Sequence, residues 1–136
     1  MNNKPNIILT KNDLERLERL IDKTPTSQFP NKAGLEAELE RAEVVEPENI
    51  PNTVVTMNST VRFLELPDAG EFSRTLVFPK DAGAEGTVSI FAPVGIAILG
   101  LSVGDEIEWP NPKGKTLTVR IKEIVYQPEQ AEKEQA

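Results

Sequence analysis

The hydrophobic period of the chain changes once, and that change constrains its architecture more than any other feature. Before residue 47 apolar side chains recur at three- and four-residue intervals, and after residue 52 they alternate with polar ones. The break, Pro47-Glu48-Asn49-Ile50-Pro51-Asn52, has a proline near each end and no period of its own, which suits a short, stiff connector. The sequence therefore predicts an α+β chain: a helical part over 1–46, a linker over 47–52 and a β-rich part over 53–127. Residues 128–136 are polar, carry no apolar stripe and are expected to be a mobile tail.

In the first part, Thr10 is placed to cap a helix beginning near Lys11, and Asp13 favours the positive N-terminal end. Leu9 and Leu14 have the spacing of a hydrophobic staple. Leu14, Leu17 and Ile21 form one stripe that Leu20 widens, with Glu15, Glu18 and Asp22 on one flank and Arg16, Arg19 and Lys23 on the other. Thr24-Pro25 stops the helix, because a residue before proline is pushed out of helical backbone, and Pro25 to Pro30 forms a turn. A second helix is expected from about Lys32 to Val44 on the stripe Leu35, Leu39 and Ala42. Its Glu36, Glu40 and Glu43 share a face expected to lie opposite the basic flank of the first helix. The two make a short N-terminal antiparallel helical hairpin of coiled-coil type, whose first arm, at about 1.5 Å per residue, reaches only roughly 20 Å. Glu38 points away from Glu36, Glu40 and Glu43, so these side chains read as a solvated, salt-bridged face and not as a metal site.

In the second part, Val54–Met57, Val61–Leu66, Phe72–Phe78, Thr87–Phe91, Glu106–Trp109 and Thr116–Tyr126 are expected to be antiparallel strands. Turn chemistry stands at Pro67-Asp68-Ala69-Gly70 and at Pro110-Asn111-Pro112-Lys113-Gly114. Pro93 to Gly100 has proline just inside a start and glycine just past an end, the asymmetry of a short helix. Lys113, Lys115, Arg120 and Lys122 read as alternating surface charges of a hairpin, with an acidic partner as the other reading.

Composition narrows the chemistry. The 136 residues include no Cys and no His, which removes thiolate chemistry, the usual general base, the commonest zinc ligand and any phosphohistidine. A net charge of −7 opposes direct binding to nucleic-acid phosphates. The N-terminal residues lack a long apolar stretch, so neither a signal peptide nor a membrane span is expected, and a cytoplasmic location follows as the default.

Val88 to Trp109, VSIFAPVGIAILGLSVGDEIEW, resembles the C-terminal signature of the Gre transcript-cleavage factors, a strand leading into Pro, a short Ala/Leu helix, Gly and then Gly-Asp. Val54-Val55-Thr56-Met57-Asn58-Ser59, Thr75-Leu76-Val77-Phe78-Pro79, Ala92-Pro93-Val94-Gly95 and Tyr126-Gln127-Pro128-Glu129 look like the regulator of nucleoside diphosphate kinase (Rnk) family. The resemblance implies an FKBP-like fold for the second part and bacterial RNA polymerase as partner. It also implies that Phe91, Ala92, Pro93 and Val94 touch the rim of the polymerase secondary channel. Phe91 and Ala92 are apolar where Gre factors are polar. Gre hairpins carry paired acidic residues at the tip that help hold a catalytic metal, whereas here Thr24 to Asn31 has no carboxylate and Asp22 stands just below the turn. The tip residues Asp22, Lys23, Thr24 and Gln28 are thus expected to lie at the channel entrance without catalytic function.

The expected function is therefore a non-enzymatic transcription regulator that competes with Gre-type factors without stimulating cleavage, and that controls nucleoside diphosphate kinase only indirectly. No cofactor or metal is expected. Two other readings stay open. One is a general protein-binding adaptor or chaperone using the amphipathic hairpin. The other is a peptidyl-prolyl isomerase, which rests on fold analogy alone.

Overall fold

The computed structural model describes residues 6–66, 70–110 and 116–135. Helix α1, Lys11–Lys23, begins where Thr10 accepts the Asp13 amide on Oγ1 at 3.0 Å and ends as Thr24 turns extended ahead of Pro25. Leu17 and Ile21 are buried along its stripe. Helix α2, Lys32–Arg41, stops short of Val44 because the next residues are taken up by a strand. That strand, β2 (Glu43–Val45), pairs in parallel with β1 (Ile8–Thr10), Ile8 opposite Glu43 and Thr10 opposite Val45. The base of the hairpin is thus closed by a two-stranded ribbon, a long-range pairing that three-residue strands do not announce.

The tip does not stand away from the rest of the chain as a projecting arm. A 3-10 turn at Thr26–Gln28 leads into Phe29, which is wholly buried and stacks on Phe91 of the second part, ring centroids 3.9 Å apart. Burying a Phe side chain is worth about 1.5–3 kcal/mol, an incentive the polar residues around it do not offset. The glutamates of α2 also depart from expectation. Glu36 and Glu40 line a groove with Glu18 and Asp22 of α1, the acidic flank and not the basic one, and Glu43 is exposed on β2. Exposed charge pairs contribute little, so burial of Leu35 and Leu39 decides how α2 sits, not charge pairing.

The second part is a five-stranded sheet in the order β5-β4-β3-β7-β6, with β3 Thr60–Leu66, β4 Gly70–Val77, β5 Thr87–Ser89, β6 Glu106–Pro110 and β7 Thr116–Tyr126. Alternation places Val61, Phe63, Val119 and Ile121 in the core. The opposite face carries exposed pairs, Arg62 with Glu123 at 2.9 Å, Arg120 with Glu106 at 2.6 Å and Lys122 with Glu71 at 3.0 Å. Arg120 and Lys122 are therefore paired surface charges. Lys113 and Lys115 lie outside the described residues, as do most of the two turns expected around them and at Pro67-Asp68-Ala69.

The expectation of a wholly antiparallel sheet needs one correction: β5 pairs in parallel with β4, Thr75 opposite Thr87 and Val77 opposite Ser89. The loop between them brings the chain back to the level of Thr75 before β5 begins, a return that a tight hairpin cannot make. Val54–Met57 is likewise not a strand of this sheet. It is a buried extended segment held by an isolated bridge from Val54 to Ser102 and by hydrogen bonds from the Val55 amide to Leu101 and from the Gly100 amide to Val55. Asn58 closes it in left-handed backbone, φ 68°. Helix α3, Pro93–Ile98, packs its Ile96 and Ile98 into the core.

Residues 128–135, expected to belong to a mobile tail, instead form helix α4, Pro128–Gln135. Gln127 donates to the carbonyls of Pro51 and Val54 at 2.9 and 2.8 Å, and Gln130 donates to Ile50 at 3.4 Å, so this end of the chain is tied to the linker. One core runs through both parts, from Ile7, Leu17, Phe29 and Leu35 to Val55, Phe63, Ile90 and Ile121. Among the described residues no helix is long and apolar enough to cross a membrane.

Candidate partner-binding site

The stacking of Phe29 on Phe91 determines where the candidate residues lie. Phe91 is partly buried and is fixed by its backbone: its amide donates to Ser89 Oγ at 3.0 Å and its carbonyl accepts Asn31 Nδ2 from the hairpin at 3.4 Å. Ala92 then becomes the N-cap of α3 and Pro93 occupies the first turn. Ala92, Pro93 and Val94 are also only partly exposed. The turn is tight enough that a Cβ on Gly95 would lie 2.1 Å from the Ser89 carbonyl oxygen, so only glycine lets α3 leave β5 at this angle.

A cleft of about 470 Å³ opens between the basic flank of α1 and this loop. Leu20, Phe78, Pro79 and Phe91 supply its apolar surface, and Arg16, Arg19, Lys23, Thr24, Gln28 and Lys80 its polar surface. Of the residues singled out from the sequence, Phe91, Lys23, Thr24 and Gln28 are brought together here, while Asp22 lies in the acidic groove on the other side of α1 and Ala92, Pro93 and Val94 lie outside the lining. Thr24 has a structural duty, donating from Oγ1 to the Leu20 carbonyl at 2.6 Å while its own carbonyl accepts Lys32 Nζ at 3.0 Å.

The sequence reading gave no site role to Arg16, Arg19, Phe78, Lys80 or Phe29. The Arg16 guanidinium lies 4.5 Å from the centroid of the Phe78 ring, a cation–π contact across the junction between the two parts. Arg16, Arg19, Lys23 and Lys80 form no ion pair with any described residue, whereas Arg41, Arg62, Arg120 and Lys122 each hold a carboxylate. Four cations without a close ion pair therefore line one partly apolar cleft in an acidic protein, and one of them, Arg16, also acts at longer range on Asp13. Among the described residues no group of His, Asp and Glu is arranged to hold a metal ion.

A buried polar junction behind the cleft fixes α1. Asp13 Oδ2 accepts the Met57 amide at 3.0 Å, and burial pushes its carboxyl up to about 6, with nearby Glu129 adding to the rise and the Met57 bond and Arg16 opposing it. Thr56 donates to Glu129 at 2.7 Å and shares a hydrogen bond with Ser59 at 2.8 Å. Two separated blocks, Val54 to Ser59 and Tyr126 to Glu129, thus meet at α1, a structural reason for their residues.

Comparison with known proteins agrees with this architecture. Residues 50–126 match the family "Transcription elongation factor, GreA/GreB, C-term" and residues 5–45 match "Rnk N-terminus". The chain is 43% identical over 129 residues to the regulator of nucleoside diphosphate kinase of Escherichia coli K12, covering 94% of this chain and 95% of that one. It is 33% identical over 102 residues to the transcription elongation factor GreA of Helicobacter hepaticus, covering 71% of this chain and 61% of that one. A solved structure described as a prokaryotic transcription elongation factor GreA/GreB from Nitrosomonas europaea superposes with a TM-score of 0.71 at 56% identity, over 90% of this chain and all of that one. These relatives are named as regulators and transcription factors and not as enzymes. The chain belongs to the Rnk family, whose second part is that of the GreA/GreB transcription elongation factors.

Proposed function

We propose that this protein is a transcription regulator that binds bacterial RNA polymerase at the rim of its secondary channel and competes there with Gre-type factors without stimulating transcript cleavage. The observation that carries the reading is the Phe29–Phe91 stack, which joins the hairpin tip and the Phe91 loop into one surface. The second part, which we read as FKBP-like, serves this reading as a docking domain. The tip from Thr24 to Asn31 has no carboxylate to share a catalytic metal, and with the hairpin folded onto the sheet domain, nothing on it is extended to reach a distant active site. Any effect on nucleoside diphosphate kinase then passes through gene expression, since a chain without His has no phosphohistidine to offer.

A stalled elongation complex tests this. Addition of the protein alone should leave the RNA 3′ end uncleaved, and addition together with a Gre factor should slow the cleavage that the Gre factor causes. Cleavage stimulated by this protein alone contradicts the proposal.

A further inference from the structure

We propose that helix α4 is a proton-controlled strap, docked on the linker and the buried Val54–Ser59 segment while Asp13 is protonated and released from them when that proton leaves. The device goes beyond the polymerase reading and does not depend on it.

Polar groups hold the strap. With eight residues, α4 is too short to be a stable helix alone, and its apolar residues, Pro128 and Ala131, are both partly exposed. None of its described side chains belongs to the core. Gln127, buried just before the helix, anchors its start on the Pro51 and Val54 carbonyls. Beyond that anchor Glu129 accepts from Thr56 at 2.7 Å, and Gln130 donates to Ile50 over a long 3.4 Å. Release therefore melts the helix as it breaks these bonds, and the rest of the fold keeps its core.

The Glu129 bond lies beside a carboxyl that titrates between acid and neutral pH. The charged groups acting on buried Asp13 are Glu129 from α4 and Arg16 from α1. The Val54–Ser59 segment and β1 bring no titratable side chain to it. Elsewhere around α1, Glu36 and Glu40 of α2 line a separate groove, Glu38 is held by Arg41, and Glu43 of β2 is exposed. Glu48, in the Pro47–Asn49 turn on which α4 packs, is exposed as well. Loss of the Asp13 proton thus leaves two carboxylates in one poorly solvated junction with Arg16 to offset them. The member free to move is Glu129, carried on a helix without core contacts. Burial and Glu129 together raise Asp13 from 3.8 to about 6, so the docked state holds the proton more tightly. Docking is accordingly favoured in acid and weakens as pH rises through about 6.

Hydrogen exchange of the full chain tests the strap at the Ala131 amide, which donates to the Gln127 carbonyl at 3.1 Å. Protection there, corrected for the intrinsic rate, should fall by about three- to tenfold between pH 5 and pH 7.5. Helical carbon shifts over residues 129–134 should fall with it, on the same midpoint as the Asp13 carboxyl carbon. The amides of Val61 and Ile121 in the sheet core should stay at least about a hundredfold better protected throughout, because they open only with the whole fold. Asp13→Asn should keep α4 protected at every pH, and Glu129→Gln, which keeps an acceptor for Thr56, should shrink the pH dependence. Glu18→Gln, in the other groove of α1, should leave it as in the parent. Equal protection of Ala131 and the core amides overturns the strap, since α4 then opens only by global unfolding. So does Asp13 titrating with no change in α4, or protection that rises with pH. Should Asp13→Asn fail to fold, Glu129→Gln decides alone: a pH dependence of undiminished size in that variant overturns the proposal.

Discussion

The Asp13 carboxylate accepts the Met57 amide at 3.0 Å, a bond that fastens the first turn of α1 to a buried segment 44 residues further along the chain. Its carboxyl, ordinarily near 3.8, is raised to about 6 by burial, so the folded protein binds this proton more tightly than the unfolded chain does. The stability this adds is fully present below 3.8 and is lost as pH rises through about 6. Asp13→Asn, which keeps an acceptor for Met57, should therefore be more stable than the parent at pH 7 by on the order of 1–3 kcal/mol and no more stable near pH 3.5. Urea unfolding of both proteins across this range checks it.

Glu129 lies within electrostatic reach of Asp13 while accepting from Thr56. Glu129→Gln should move the Asp13 midpoint back toward its ordinary value and leave the fold intact, as followed by NMR titration of the Asp13 carboxyl carbon. Glu129→Ala should also leave the buried Thr56 hydroxyl with one partner fewer, costing about 1 kcal/mol in unfolding free energy.

Gly95 has no room for a Cβ beside the Ser89 carbonyl. Gly95→Ala should destabilise the protein by about 1–3 kcal/mol or more and displace the Phe91 loop. Thermal unfolding and the amide shifts of Phe91 and Ala92 report the two effects.

Phe91→Leu keeps apolar bulk but loses the ring contact with Phe29, a stabilisation of about 0.5–1.5 kcal/mol. A melting temperature lowered by a few degrees, together with faster hydrogen exchange at Phe29 and Asn31, is the expected result. Unchanged exchange there contradicts the role given to the stack.

Local signals were legible in the sequence wherever the cause of structure is local. The Thr10 cap, the Pro25 stop, the Pro93–Gly100 helix and the alternation of β3 and β7 all appear at or close to the expected positions. What was missed depends on partners far away in sequence. The β1–β2 pairing consumes the expected end of α2, and the parallel β4–β5 pairing follows from the path of a loop. Helix α4 has no apolar stripe to announce it; this end of the chain is docked by polar bonds instead, Gln127 and Gln130 donating to the Val54 and Ile50 carbonyls and Glu129 accepting from Thr56. At the site, Lys23, Thr24, Gln28 and Phe91 could each be named from sequence, but their meeting could not. It depends on Phe29, a lone aromatic in a polar turn, and that exception to the turn's polarity was the available signal.

The most direct measurement of the central claim is equilibrium displacement of a fluorescent Gre factor from bacterial core RNA polymerase by this protein. The account predicts complete displacement at micromolar protein, with weaker displacement by Phe91→Asp. Absence of both displacement and direct binding at that concentration contradicts it and brings the general adaptor reading to the front.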